Sequence, residues 1–239
     1  MSSELSKIAA KIQDKSLREK VTQLIEKPTI RIGEREYTGL PLAVSPAGLS
    51  HHHSYSGGLL EHMEASTEIA LGLCKIVERI YGGKVDRDLV IAGMLLHDIF
   101  KPLTYERMED GTYATAPLAD RLDHLTLAVS KMIRMGFPLD LVHIVGAHHG
   151  GSAGPIWPRT IEALICHLAD ITDSRLNGEV LRAARYLSRT ATGEELNINS
   201  SKEAFDIVRS KQSEHSNSEK ANLAVKDAIE RIIAERKKG

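Results

Sequence analysis

His97 and Asp98 stand side by side at the end of an uncharged run, Leu89 to Leu96. A carboxylate at the mouth of such a run is costly unless it is paired or bound to a cation. Other residues raise the same question. On helical spacing His62 stands nearly in line with Ile69, Leu73 and Ile76, so it points inward. Taken alone, it reads as a hydrogen-bonded core histidine. Asp170 lies in a stretch that is apolar all round and shares a face with Ala163, Cys166, His167 and Asp173. It must be paired, protonated or ligated, and Arg159 or Arg175 could supply an ordinary ion pair. His148 and His149 close a third apolar stretch. Adjacent histidines diverge by about 100° on a helix, so both reach one site only at its end or by flanking it. An exposed pair at the helix terminus is the plain alternative. His124 says little by itself, and His143 and His167 suit packing or supporting roles. The loop residues His51, His52 and His53 suit substrate contact better than structural ligation.

Collected, the candidate ligands are His62, His97, Asp98, His124, His148, His149 and Asp170, with no cysteine among them. Nitrogen and oxygen donors without thiolate favour octahedral Fe, Mn, Co, Ni or Mg over a closed structural zinc. Two ions would use so many ligands, with Asp98 as the bridge. Such a pair activates water and clamps the oxygens of an in-line phosphoryl displacement. The chain has no glycine-rich phosphate loop, no GxSxG and no HExxH.

These residues need elements to carry them. Residues 4–27 read as one or two amphipathic helices ended by Pro28. Thr29 to Tyr37 alternates and turns at Gly33-Glu34, which predicts a small hairpin. After a loop from Pro41 to Ser50, a long helix is expected from Gly57-Gly58 to about Tyr81, with Leu59, Met63, Ala70, Leu73, Val77 and Ile80 on its apolar face. Asp86 suits the N-cap of the helix leading into His97. Asp110-Gly111 predicts a second hairpin within Leu103 to Thr115. Helices are expected at about 120–135, 139–149, 159–175, 178–188, 201–213 and 218–237, with Gly150 to Pro158 as a loop. Ser218 can cap the last helix, and Arg236, Lys237 and Lys238 suit its C-terminal dipole. The expected fold class is all-α with one or two short β-hairpin excursions.

The 239 residues allow one large domain, or one with an appendage. Formal net charge is −1, and only 10 residues are aromatic (six Tyr, three Phe, one Trp). That gives nucleic acid no support and offers poor material for base stacking. Cys74 and Cys166 lie in apolar patterns and read as reduced packing residues. The first residues begin no apolar signal segment. A long stretch without Asp, Glu, Lys or Arg, Leu141 to Pro158, holds four glycines and two prolines, so it is no transmembrane helix. A cytoplasmic location is expected.

The order His, His-Asp, His, His-His, Asp resembles the HD-domain superfamily of metal-dependent phosphohydrolases over about residues 46–176. His52 to His62 (HHSYSGGLLEH), Ala92 to Lys101 (AGMLLHDIFK), Ala147 to Gly150 (AHHG) and His167 to Ser174 (HLADITDS) carry the resemblance in order. They are similar to the HD domain of bacterial 3′–5′ exoribonucleases. In size and layout the chain also resembles archaeal phosphodiesterases that open a dihydroneopterin cyclic phosphate. The resemblance implies an HD-type helical bundle over 46–190, preceded by N-terminal helices and a hairpin at 1–45. A helical extension at 191–239 would pack on the core or on a partner, and a homo-oligomer is compatible.

It further implies that His62, His97, Asp98 and Asp170 hold one divalent transition metal, and Asp98, His124, His148 and His149 a second. A metal-bound hydroxide would be the nucleophile, with Asp98 and Lys101 catalytic and Lys101 on the phosphate. His52, His53, Lys101, Arg159 and Asp173 are the candidate substrate contacts. Two positions depart from the family pattern. Phe100 replaces a small glycine before the lysine and is expected to reshape the pocket wall, and Leu122-Asp123-His124-Leu125 replaces a Gly-His-Ile pattern. About 45 residues are too few for the nucleic-acid-binding barrel that precedes the domain in the exonucleases. The expected activity is therefore phosphodiester hydrolysis of a small, cyclic nucleotide-like or pterin phosphate. Trimming of short oligonucleotides, phosphomonoester hydrolysis and a non-catalytic protein with a structural metal are the alternatives.

Overall fold

The computed structural model describes residues 3–154, 156–212 and 218–238. Its helices are α1 (Ser3–Ala9), α2 (Lys15–Glu26), α3 (Gly58–Arg79), α4 (Arg87–Leu96), α5 (His124–Arg134), α6 (Leu139–Ala147), α7 (Gly150–Ala153), α8 (Ile161–Thr192), α9 (Ser201–Gln212) and α10 (Ser218–Arg236). Two antiparallel hairpins interrupt them. β1 (Thr29–Ile32) and β2 (Arg35–Thr38) pair with Ile30 opposite Tyr37, and β3 (Tyr105–Arg107) and β4 (Tyr113–Thr115) pair with Glu106 opposite Ala114. The fold is all-α with two short β excursions, as expected. No helix among the described residues is long and apolar enough to cross a membrane.

The helices start where side chains can satisfy their free N–H groups. Asp86 accepts from Asp88 N and Leu89 N, Asp123 from Thr126 N at 2.6 Å, and Thr160 from Ala163 N at 3.1 Å. The first cap fixes the start of the run that ends at His97, the second the start of the helix bearing His124, and the third the start of the helix bearing Asp170. The side chain of Ser218 and residue 213 lie outside the described residues.

Three expectations change. The two helices placed at 159–175 and 178–188 are one, α8. Asn177-Gly178 looks like a turn, but the Asn177 amide is committed to tertiary partners and the helix runs through it. The loop after His149 contains the short turn α7. Ile76 and Ile80, counted on the buried side of α3, are 42% and 73% exposed because the helix runs out beyond the core.

One buried apolar cluster joins α1, α2, Ile30 of β1, α3 to α6 and the first part of α8. A second joins Tyr55 to Leu181, Ala184 and Leu187 of α8, and to buried residues of α9 and α10. The N-terminal helices thus share the main core. The C-terminal helices pack on the far half of α8, on the same chain.

Candidate metal centre

α4 is buried all round, from Val90 to Leu96, and delivers His97 at its C-terminus. The chain then turns tightly, with Lys101 N bonded to Asp98 O, so Asp98 and Lys101 face the same space. Phe100 between them is fully buried in the apolar core, and is not a pocket wall as the sequence led us to expect. His62 comes from the first turns of α3, His124 from the first residue of α5, and Asp170 from α8. His148 and His149 sit where α6 gives way to α7, and their ring centroids are 4.0 Å apart. The helix end is what lets neighbouring histidines face one centre.

These residues form two donor sets that share Asp98. In the first, His62 Nε2 lies 3.1 Å from His97 Nε2, 3.4 Å from Asp98 Oδ2 and 3.3 Å from Asp170 Oδ1. In the second, Asp98 Oδ1 is 3.3 Å from His124 Nε2 and 3.6 Å from His148 Nε2, with His149 grouped beside them. Ligands about 2.1 Å from one ion stand about 3.0–3.4 Å apart at octahedral or tetrahedral angles. Most of the observed spacings fall within that range, as those of donors around a cation do.

The supporting hydrogen bonds settle which ring nitrogens face inward. Nδ1 of His97 lies 2.8 Å from Met94 O, and Nδ1 of His148 lies 2.7 Å from Val145 O. A carbonyl can only accept, so both Nδ1 atoms carry the proton and both Nε2 atoms present lone pairs. Nδ1 of His62 donates to Asp173 Oδ2 at 2.7 Å, which turns its Nε2 toward the centre. His167 in turn donates from Nδ1 to His148 O at 2.5 Å. Asp98 Oδ1 and Oδ2, His124 Nε2 and His148 Nε2 are all buried without a well-directed hydrogen bond. Such atoms are costly unless something cationic lies between them. The donor set fits a divalent ion.

Electrostatics agree. Burial opposes charge on His62, but hydrogen bonding to Asp170, Asp173 and Asp98 outweighs it and raises its pKa well above the ordinary value. The pull these carboxylates exert on a proton is the pull a metal would feel. Burial pushes His97 down to about 4 and His52, His53 and His149 to about 3, and it lowers His124 as well, so these rings are neutral at physiological pH. Burial raises the Asp98 carboxyl, but Lys101 and His97 more than offset it and hold it well below the carboxylate range. Lys101 Nζ lies 2.6 Å from Asp98 Oδ2. Its own burial is outweighed by Asp98 and Asp170, which keep it a cation.

The remaining candidates separate. Asp173 is buried beneath His62 and positions that ring. His53 is buried, with Nδ1 3.7 Å from Asp173 Oδ2, whereas His52 is half-buried and its Nε2 is 3.4 Å from Ser174 Oγ. Ser174 Oγ also donates to Asp170 Oδ1 at 3.2 Å. Arg159 is exposed, and among the described residues its side chain makes no contact with the cluster; its backbone N–H donates to His143 Nε2. Neither Arg159 nor Arg175 pairs with Asp170, which faces His62.

Sequence reasoning missed the network that holds the His52-His53 loop. His53 has φ 43°, a left-handed conformation unusual for a non-glycine residue. A Cβ on Gly58 would fall 2.1 Å from His53 O, so only glycine fits beside that turn. Asn177 Oδ1 accepts from His53 N at 2.6 Å, and its Nδ2 donates to Tyr55 Oη at 3.3 Å and Ser201 Oγ at 2.6 Å. The signal available was a buried-face asparagine in an otherwise helical pattern.

Comparison with known proteins follows the same lines. The family model for the HD domain matches residues 59–175. The chain is 42% identical over 185 residues to the dihydroneopterin 2′,3′-cyclic phosphate phosphodiesterase of Methanocaldococcus jannaschii, covering 77% of this chain and 74% of that protein. It is 29% identical over 184 residues to the 3′-5′ exoribonuclease YhaM of Oceanobacillus iheyensis, covering 70% of this chain and 56% of that protein. The chain thus spans little more than half of the exoribonuclease. No solved structure gives a significant match.

Proposed function

The chain belongs to the HD-domain family, and from that premise we propose that it is a metal-dependent phosphodiesterase that hydrolyses a small cyclic phosphate ester of nucleoside or pterin type. The observation that carries the reading is the pair of donor sets meeting at Asp98, whose buried oxygens lack well-directed hydrogen bonds, beside a buried lysine cation. His62, His97, Asp98 and Asp170 would hold one divalent ion, and Asp98, His124, His148 and His149 a second, Fe or Mn being the best suited and Co, Ni or Mg the alternatives. When bound, such a pair supplies an activated water and Lewis acidity toward the phosphate oxygens.

The chain's own residues do the rest. Asp98 spans both sets and anchors the Lys101 ammonium, which is placed to take up negative charge on the phosphate. Asp173 and the carbonyls of Met94 and Val145 fix the rings of His62, His97 and His148 so that Nε2 faces the centre. His52, His124 and His149 are only half-buried and mark the side from which substrate approaches. The similarity to the archaeal phosphodiesterase supports a cyclic ester over an open one.

A second reading, trimming of short oligonucleotides, rests on the similarity to YhaM and on one feature of α8. Arg175, Arg182, Arg185 and Arg189 line a pocket of about 560 Å³ that reaches Ser174. Activity that falls steeply with salt is expected of that reading.

The test is a phosphoester panel on protein loaded with Fe(II) or Mn(II), including nucleoside 2′,3′-cyclic phosphates, bis(p-nitrophenyl) phosphate and p-nitrophenyl phosphate. Cyclic diesters should be turned over, chelator should abolish activity, and Asp98→Ala should lower kcat/KM by orders of magnitude. Metal-independent hydrolysis, or unchanged activity in Asp98→Ala, would exclude the reading.

A further inference from the structure

Two pockets are lined by residues next in sequence to those of the cluster. In the one along α8 the guanidinium groups are largely committed: Arg182 pairs with Glu179, Arg189 with Glu195, and Arg185 donates to Ser50 O and Ser54 Oγ. The other, of about 580 Å³, lies between the two hairpins. Its size is that of a site for a small organic ligand. Its wall is built from Arg35 and Tyr37 of β2, Pro102 and Tyr105 after the lysine, and Leu118 and Arg121 ahead of α5. The two inner segments therefore end at Lys101 on one side and lead to His124 on the other.

The chain has only six tyrosines, and two of them line this one pocket. The Arg35 guanidinium sits over the Tyr37 ring, 4.8 Å from its centroid, which keeps that ring in place. Burial raises the pKa of the Tyr105 hydroxyl, with Lys101 opposing the rise and Asp98 adding to it. The hairpin is fixed to the catalytic turn. Leu40 N donates to Pro102 O at 3.0 Å, and a Cβ on Gly39 would lie 2.3 Å from Pro102 C and O. The close approach at Gly39 holds the end of β2 near the residue that follows Lys101. β1 and β2 lie outside the residues matched by the family model, so the Arg35 and Tyr37 side of the pocket comes from the chain's N-terminal part.

We propose that this pocket binds the planar heterocycle of the substrate, a purine or pterin ring, with Tyr37 and Tyr105 as its aromatic walls while the phosphate lies at Lys101 and the metal ligands. Tyr37 is then a specificity residue contributed by the β1–β2 hairpin. The inference rests on the phosphodiesterase reading and adds the residues that hold the ring of the ester. Stacking against a tyrosine ring gives roughly a tenfold preference or more for an ester that carries an aromatic ring.

The experiment compares kcat/KM for guanosine 2′,3′-cyclic phosphate with that for glycerol 1,2-cyclic phosphate, using metal-loaded full-length protein. In Tyr37→Ala and Tyr37→Leu the ratio of the two should fall about tenfold, mainly through KM of the guanosine ester, and Tyr37→Phe should keep it near the wild-type value. Tyr37→Leu retains apolar bulk in the hairpin, so it reads the ring face even where the alanine variant folds poorly. Guanosine should compete with the wild type at lower concentration than with Tyr37→Leu. If the wild type turns over both esters and Tyr37→Leu and Tyr105→Leu leave the ratio unchanged, the pocket assignment is overturned while the phosphodiesterase reading stands. If the wild type turns over neither diester, the phosphodiesterase reading falls, and the pocket assignment with it.

Discussion

Replacing Asn177 with alanine should unfasten the loop that carries His52 and His53. Asn177 is 4% exposed and makes three hydrogen bonds, to His53 N, Tyr55 Oη and Ser201 Oγ. At about 1 kcal/mol each they contribute about 3 kcal/mol, from which the better helix propensity of alanine recovers about 0.5 kcal/mol. A net loss of about 2.5 kcal/mol corresponds to a Tm lower by roughly 5–10 °C in a chain of this size. The left-handed His53 makes the effect local as well, since its N–H loses its acceptor and the strained turn loses its brace. Calorimetry reads the first effect, and hydrogen exchange at the His53 amide reads the second. A variant melting within about 2 °C of wild type, with His53 exchange unchanged, would refute the argument that this network holds the loop.

Three further outcomes follow from the same geometry. Asp173→Ala should weaken metal binding by roughly 10–100-fold in competition with a chelator, because His62 loses the acceptor that aims its Nε2; unchanged affinity would contradict this. Gly58→Ala should destabilise by on the order of 3 kcal/mol or more in urea titration, since the new Cβ meets the backbone of His53 and no flexible side chain can yield. Phe100→Ala should cost about 3–5 kcal/mol of stability by opening a core cavity. Phe100→Leu should leave substrate preference intact; a changed preference at unchanged stability would place Phe100 in the pocket after all.

The helices were legible because their caps and apolar periodicities are local properties. Asp86 and both hairpin turns needed no tertiary information. The cluster was legible for a different reason: histidines and carboxylates in apolar stretches have few ways to be satisfied, and seven of them in family order leave fewer. What escaped were features decided by distant partners. Asn177-Gly178 carries a turn signal, yet α8 passes through because Ser201 and the His53 backbone take up the amide. Phe100 beside Lys101 looked like a pocket residue, but the tight turn after Asp98 rotates it into the core. Arg159 looked available to the substrate, yet its side chain stays in solvent, away from the cluster. The pocket between the hairpins has no sequence signature, because its two sides meet only where Gly39 lies against Pro102.

The central claim is that two donor sets meet at Asp98, and metal stoichiometry tests it directly. Elemental analysis of protein reconstituted anaerobically with Fe(II) or Mn(II) should find about two ions per chain, falling to one or fewer in Asp98→Ala while His124→Ala retains the ion held by His62, His97 and Asp170. A wild-type protein that is fully active with no bound transition metal, or an Asp98→Ala variant that still holds both ions, would contradict the account.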